Sequence, residues 1–195
     1  MDHADHIRLI RDGVVGGGRQ WLELGAGQGA FTLALADVLG PGGSILATDR
    51  DPRALGMAAA AVHQRFPETE LETRVFDFTD GIPYGPFDGV LAANSLHYVA
   101  DRDPTLRAIR NAIRPGGRLV VVEYDADRGN PWVPHPFSFD RWRTEAVNAG
   151  YGEPRLLGSV PSRFLNAIYA AVAEVPAEAS DAVLHSPPHG EDREE

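Results

Sequence analysis

Cysteine is absent from the 195 residues, which excludes disulfides, thiolate metal sites and a cysteine nucleophile. Lysine is absent too, since all 18 basic side chains are arginine. No Schiff base can form on this chain, and no P-loop lysine can meet a phosphate. Apolar runs are short. None reaches the ~18 residues of a membrane span, so no membrane partner is expected. Positive charge is scarce as well: the formal net charge is -10, and the arginines are scattered, so the basic patch of a nucleic-acid binder is missing. Much of the acidity lies from Glu174 onward. The first residues, Met1 to His6, are polar and acidic without a signal-peptide pattern, and the expected location is cytoplasmic. His3/His6 and His185/His189 have loose metal-like spacing but sit in terminal segments, and no metal site is expected.

What is present is a globular composition, 43% hydrophobic and 24% charged, at a length that fits one domain with a full core. The most informative stretch is Trp21-Leu22-Glu23-Leu24-Gly25-Ala26-Gly27-Gln28-Gly29-Ala30. A short apolar run carries one acid, glycines follow at alternate positions, and an amphipathic run comes next. The pattern reads as strand, glycine turn and helix. Glycine lets the backbone turn tightly and lets a ligand approach the main chain. Such a turn opens the first unit of a nucleotide-type α/β fold.

The same alternation recurs along the chain. Strands are predicted at about 20–24, 44–49, 71–76, 87–93 and 118–123, and helices at about 30–39, 52–66 and 105–113. The link 79–86 is rich in Gly and Pro and is not helical. Continuous apolar strands alternating with helices predict a parallel sheet covered on both faces, with right-handed crossovers. After the fifth strand the order changes. A Pro-containing loop at 124–137 precedes a helix at 139–149 with Ser138 as N-cap. Two runs follow, 155–160 and 163–172, joined only by Pro161-Ser162, and so short a link requires antiparallel neighbours. The second run would also serve as a helix. The chain thus divides into a short leader helix in 1–18, a main domain in 19–174 and an acidic, Pro-containing disordered tail in 175–195.

Two ligands fit the glycine turn on motif alone. Gly25-x-Gly27-x-x-Ala30, with Asp49 about 20 residues on, satisfies the looser dinucleotide fingerprint, so an NAD(P)-dependent oxidoreductase is a competing reading. Glu23 argues against it, because a carboxylate at this turn repels a pyrophosphate and attracts a cation. Further short motifs fall at successive element ends: Ala47-Thr48-Asp49, Phe76-Asp77-Phe78, Phe87-Asp88-Gly89-Val90 and Ile113-Arg114-Pro115-Gly116-Gly117-Arg118-Leu119. Together with the stretch from Glu23 to Gly29, they make the sequence, over about residues 20–173, resemble the class I S-adenosylmethionine-dependent methyltransferases. The resemblance implies a Rossmann-like α/β fold. Its sheet has seven strands in the order 3-2-1-4-5-7-6, mostly parallel with a terminal antiparallel hairpin, and helices on both faces.

The resemblance also implies the cofactor, S-adenosyl-L-methionine, which leaves as S-adenosyl-L-homocysteine. In that reading Glu23 lies near the methionine ammonium, and Gly25, Ala26 and Gly27 form the turn around the cofactor. Asp49 accepts hydrogen bonds from both ribose hydroxyls, and Asp77 accepts from the adenine amino group, with Phe78 and Arg50 flanking the ring. Asn94 sits where backbone oxygen meets the cofactor. Plain structural alternatives exist: a helix N-terminal charge for Asp49 and a turn residue for Asp77. Asp88 begins a strand at the opposite edge and is read as structural.

Methyl transfer is an in-line displacement that needs positioning first, and a base is optional. His97 is the candidate catalytic base, with a mere turn histidine as its alternative. Glu123 and Asp125 lie on the same set of loops. Tyr98, Tyr124 and His135 are the candidate substrate-pocket residues. The expected activity is methylation of a small-molecule oxygen or nitrogen, ahead of carbon, by a monomer or homodimer. An S-adenosylmethionine-binding protein without transferase activity is the alternative.

Overall fold

In β1 (Gln20–Leu24), β4 (Phe87–Ala93) and the second half of β5 (Ile113–Tyr124) most positions are buried, although a strand sends successive side chains to opposite faces. A computed structural model, which describes residues 1–177, shows how the two sets are used. Trp21, Leu91, Val120 and Val122 enter one buried cluster. Leu22, Leu24, Val90, Ala92, Leu119 and Val121 enter a second. Both faces of the sheet are therefore core. Each fully buried Leu or Val contributes roughly 1.5–3 kcal/mol.

The remaining elements are α1 (His3–Val14), α2 (Ala30–Leu39), β2 (Ser44–Asp49), α3 (Pro52–Arg65), β3 (Glu70–Val75), a single 3-10 turn (Leu96–Tyr98), α4 (Asp103–Ala112), α5 (Phe139–Asn148), β6 (Arg155–Pro161) and β7 (Ala167–Glu174). The sheet order is β3-β2-β1-β4-β5-β7-β6. Strands β1 to β5 pair in parallel, while β7 runs antiparallel to both β5 and β6. This is the Rossmann-like order expected from the sequence. Helices α1, α2 and α3 supply Ile10, Leu35 and Leu55 to the first cluster. Helices α4 and α5 supply Leu106, Ile109 and Trp142 to the second. Among the described residues no helix is long and apolar enough to cross a membrane.

Local chemistry sets the boundaries. Helix α3 starts where the Asp51 side chain accepts from the Arg53 amide and Pro52 fills the first turn. Trp21 is buried because its neighbour in the register, Gly89, has no side chain; a Cβ there would lie 2.5 Å from the indole. Asp88 is structural, as expected: Oδ2 accepts from the amides of Arg19 and Gln20 at 2.7 and 2.8 Å, and Oδ1 pairs with Arg114 at 2.7 Å.

Three elements differ from expectation. The leader is longer and better built than the sequence suggests. A capping box between Asp2 and Asp5 opens α1, and Leu9, Ile10 and Val14 are buried in the same cluster as the sheet. Strand β5 begins at Ile113 rather than 118: Phe87 faces Ile113 before the register shifts to Gly89 facing Arg118. The second run of the hairpin is a strand and not a helix, and it starts at Ala167, because residues 162–166 form the link. Periodicity could not decide this. Tyr169, Ala171 and Ala173 enter one cluster and Ile168, Ala170 and Val172 the other, so every position is apolar. The acidic tail expected in 175–195 lies, from 178 on, outside the described residues, as do His185 and His189.

Candidate active site

The glycines after β1 do three different things. Gly25 (φ 73°) needs to be glycine because a Cβ would meet the Ser95 Cβ at 2.7 Å. Gly29 (φ 91°) lets α2 approach α3, where a Cβ would meet the Ala58 Cα at 2.8 Å. Gly27 (φ 53°) faces open space. That open space belongs to a cleft of about 400 Å³ lined by the glycine turn and by the residues just past β2, β3 and β4. It lies at the carboxyl edge of the strands, where open α/β sheets bind ligands.

Asp49 ends β2 on the cleft wall. Oδ2 accepts from the Gly27 amide at 2.8 Å and Oδ1 from the Asp51 amide at 2.9 Å, so the carboxylate is fixed while each oxygen keeps acceptor capacity. Asp77 also lines the cleft and is tied into a turn: its Oδ1 accepts from the Thr79 hydroxyl at 2.7 Å and the Thr79 amide at 3.0 Å. Those hydrogen bonds, with the Arg50 charge adding, hold the Asp77 carboxyl below its ordinary range. Phe78 and Arg50 complete this end of the cleft. Glu23 and Ala26 are placed differently from the expectation. Both are buried, and neither lines the cleft. The Ala26 amide donates to the Thr48 carbonyl. The Glu23 carboxyl is pushed up to about 7, mainly by burial and further by the Asp49 charge, and its Oε2 has no partner among the described residues.

At the end of β4 the backbone is strained and the side chains are unsatisfied. Asn94 is the one non-glycine residue with positive φ, at 52°, among the described residues. Its Oδ1 and the Ser95 Oγ are buried without hydrogen-bond partners among the described residues, and both residues line the cleft. Buried orphans of this kind cost about 1–3 kcal/mol each unless a ligand or water meets them.

Beside this edge lies a pair of residues that a linear reading does not join. Glu123, at the end of β5, is fully buried. Its Oε1 accepts from the amides of Ser95, Leu96 and His97 at 3.0, 2.8 and 3.3 Å. Its Oε2 lies 2.7 Å from His97 Nδ1. A carboxylate is an acceptor, so Nδ1 carries the proton and Nε2 is the nitrogen free to take one. The imidazole packs on Tyr98 and Tyr124, with ring centroids at 4.3 and 5.7 Å. Tyr98 lines the cleft and is 56% exposed, whereas the His97 imidazole that it packs on is buried and does not line the cleft. Tyr124 is half-buried, and burial, with the Glu123 and Tyr98 charges adding, raises its phenol. His135 is exposed and does not line the cleft; its amide donates to the His97 carbonyl at 3.0 Å. Ser95 was not anticipated. The Glu123 pairing had a signal, an acid inside an apolar strand, which must find partners if it is buried. Among the described residues there is no cluster of three or more His, Cys, Asp or Glu side chains suited to a metal.

Fold and cleft together define an α/β protein with a nucleoside-binding edge. The chain belongs to the methyltransferase-domain family, whose model it matches over residues 22–119. The dehydrogenase reading falls away, since the matched family is one of methyltransferases. The chain is 33% identical over 113 residues to the lovastatin diketide synthase lovF of Aspergillus terreus, a match covering 54% of this chain and 4% of that protein. It is 28% identical over 112 residues to the ubiquinone/menaquinone biosynthesis C-methyltransferase UbiE of Cellvibrio japonicus, covering 55% of this chain and 43% of the relative. The chain thus spans less than half the length of these two relatives. Among solved structures, magnesium protoporphyrin IX methyltransferase (ChlM) of Synechocystis PCC 6803 with bound SAM aligns at a TM-score of 0.69 and 16% identity, covering 89% of this chain and 79% of that one.

Proposed function

We propose that this protein transfers a methyl group from S-adenosyl-L-methionine to a small molecule, with His97 as the general base. The observation that carries the proposal is the buried His97–Glu123 pair beside a cleft whose wall holds the orphan oxygens of Asn94 and Ser95. Those orphans suit a ligand that brings hydrogen-bond donors, as the methionine ammonium does. On this reading Asp49 takes the ribose hydroxyls and Asp77 the adenine amino group, between Phe78 and Arg50. Gly25, Ala26 and Gly27 shape the turn. Glu23 lies buried beneath the turn, where the ammonium of a bound cofactor favours its carboxylate form.

When bound, the cofactor supplies a methyl on a sulfonium, so its leaving group is a neutral thioether. His97 Nε2 withdraws the proton of the acceptor as the new bond to the methyl forms. The imidazolium so made is paired at Nδ1–H with Glu123, whose other oxygen accepts from three backbone amides. Tyr98 and Tyr124 flank the base, and with His135 they bound the acceptor side. Such a base serves an acidic O–H, N–H or C–H alike. The similarity to the Cellvibrio C-methyltransferase brings carbon level with oxygen and nitrogen as the acceptor atom. A cytoplasmic monomer or homodimer completes the proposal, and light scattering tests the oligomeric part.

The test combines binding and turnover. Calorimetry is expected to show S-adenosyl-L-homocysteine binding to the wild type and equally to His97→Ala. Product formation against a panel of phenols, amines, carboxylic acids and 1,3-dicarbonyl compounds is expected to fall by about 10²–10⁴ in that variant. An active His97→Ala protein removes the base from the proposal, and a wild type that binds no cofactor removes the proposal altogether.

A further inference from the structure

Arg102 stands between the His97 turn and α4, and its side chain is 2% exposed. Burying a guanidinium is costly unless its donors are met. Here they are met by three separate segments. Nε and Nη2 grip Glu145 of α5 at 2.8 and 2.9 Å. Nη1 donates to the Val99 carbonyl at 3.1 Å, on the turn after β4, and to the His135 carbonyl at 3.0 Å, on the loop after β5. The guanidinium also lies 4.1 Å from the ring centre of Phe137, on the same loop. The His135 amide in turn donates to the carbonyl of His97 itself. Near its start and end the loop is fixed differently, by Asp125 and Asp127, whose side chains accept from the Phe139 and Ser138 amides. Between these fixings Trp132 is 72% exposed.

We propose that Arg102 is a positioning residue that fastens the loop 126–137 to the turn carrying His97, so that the acceptor-side wall is assembled on the base. This rests on the reading of His97 given above. Only a planar fork can serve here, because a lysine ammonium is a point donor that cannot grip a carboxylate in two places and two carbonyls at once. Arg102 is not part of the cofactor cleft. Its loss therefore loosens the acceptor side and spares the cofactor side.

The experiment uses the full chain, with S-adenosyl-L-homocysteine as the binding probe, and compares wild type, Arg102→Gln, Arg102→Lys and Glu145→Gln. In Arg102→Gln, amide exchange at His135 is expected to rise at least tenfold, while protection in β1 and β4 is kept and affinity for the probe stays within twofold. The His97 imidazole signals, followed by NMR through a pH titration, are expected to change midpoint, a readout that a general packing role would leave unmoved. Arg102→Lys is expected to fall between the two. If Arg102→Gln does not fold, Glu145→Gln gives the same loop readout at smaller amplitude, since Glu145 is partly exposed and the carbonyl contacts survive. Unchanged His135 exchange and an unchanged His97 titration overturn the proposal. So does uniform loss of protection together with loss of probe affinity. A wild type that fails to bind the probe sinks the proposed function and leaves the loop measurement interpretable on its own.

Discussion

The two sides of the cleft are held together by different kinds of bond. On the side proposed for the cofactor, backbone amides do the holding within the first two βα units: Gly25 and Ala26 donate to the Thr48 carbonyl, Gly27 and Asp51 to the Asp49 carboxylate. On the acceptor side, buried charged side chains do it. Glu123 reaches back to residues 95–97, and Arg102 reaches forward to 135 and 145. The Thr48 carbonyl stays whatever side chain stands at that position, so this part of the wall tolerates substitution. A wall made of buried charges fails when one member is removed, because its partners stay buried without it.

Substitutions can break this contrast, and the largest effect belongs to the acceptor side. Glu123→Ala strands three amides and the His97 Nδ1–H, and should cost about 3–5 kcal/mol of unfolding free energy in a urea titration. A cost below about 1 kcal/mol would show that the carboxylate is not holding this turn.

Glu23 gives the next effect, and it is one of pH. Its carboxyl lies at about 7 in the folded chain, against 4.5 for an ordinary glutamate, chiefly through burial. The folded state therefore keeps a proton that the unfolded state has lost. The stability this confers is complete below about pH 4.5 and is lost as pH rises through 7, by about 3 kcal/mol in all. Stability curves of wild type against Glu23→Gln, without cofactor, should diverge in that window, with the variant the flatter. Parallel curves would place the ionised carboxylate in a polar setting that the burial of Glu23 does not show.

The smallest effect tests the backbone-built side. Asp49→Ala removes a carboxylate that is already anchored, and should weaken S-adenosyl-L-homocysteine binding by about 10- to 100-fold in calorimetry, at the 1.5–3 kcal/mol expected for a charged hydrogen bond. Stability should change little. Full retention of affinity would remove Asp49 from the cofactor site.

The same contrast explains what could be read in advance. β1, α2 and β4 carry apolar runs bounded by Gly, Pro or Asp, and they fall within the expected limits. Asp49 and Asp77 were legible as strand-end acids because the chemistry that places them is local. Glu123 was legible only as a loop candidate, since nothing within a few residues of it signals the amides of 95–97 or the ring of His97. Ser95 and Arg102 gave no signal: Ser95 meets Glu123 of β5 and faces Gly25, and the partners of Arg102 come from α5 and the loop before it. Glu23 shows a third case. Its position in the motif was plain, but its burial depends on α2 and α3 closing over the turn. For β7, a strand buried on both faces has no periodicity to read.

One further consequence lies in the crossover from β3 to β4, residues 76–86, which contains no helix. Its first residues, Phe76 to Thr79, line the cleft, and Phe78 and Ile82 rest partly buried on the second cluster. The wall on this side is therefore also the connection, fastened at its ends by the Phe76 amide on the Asp49 carbonyl and by Arg114 on the Pro86 carbonyl, and between them by the Asp77–Thr79 turn and apolar side chains. Such a segment can detach as a small cooperative unit while every helix and strand stays folded. Opening there would widen the cleft while the sheet yields nothing.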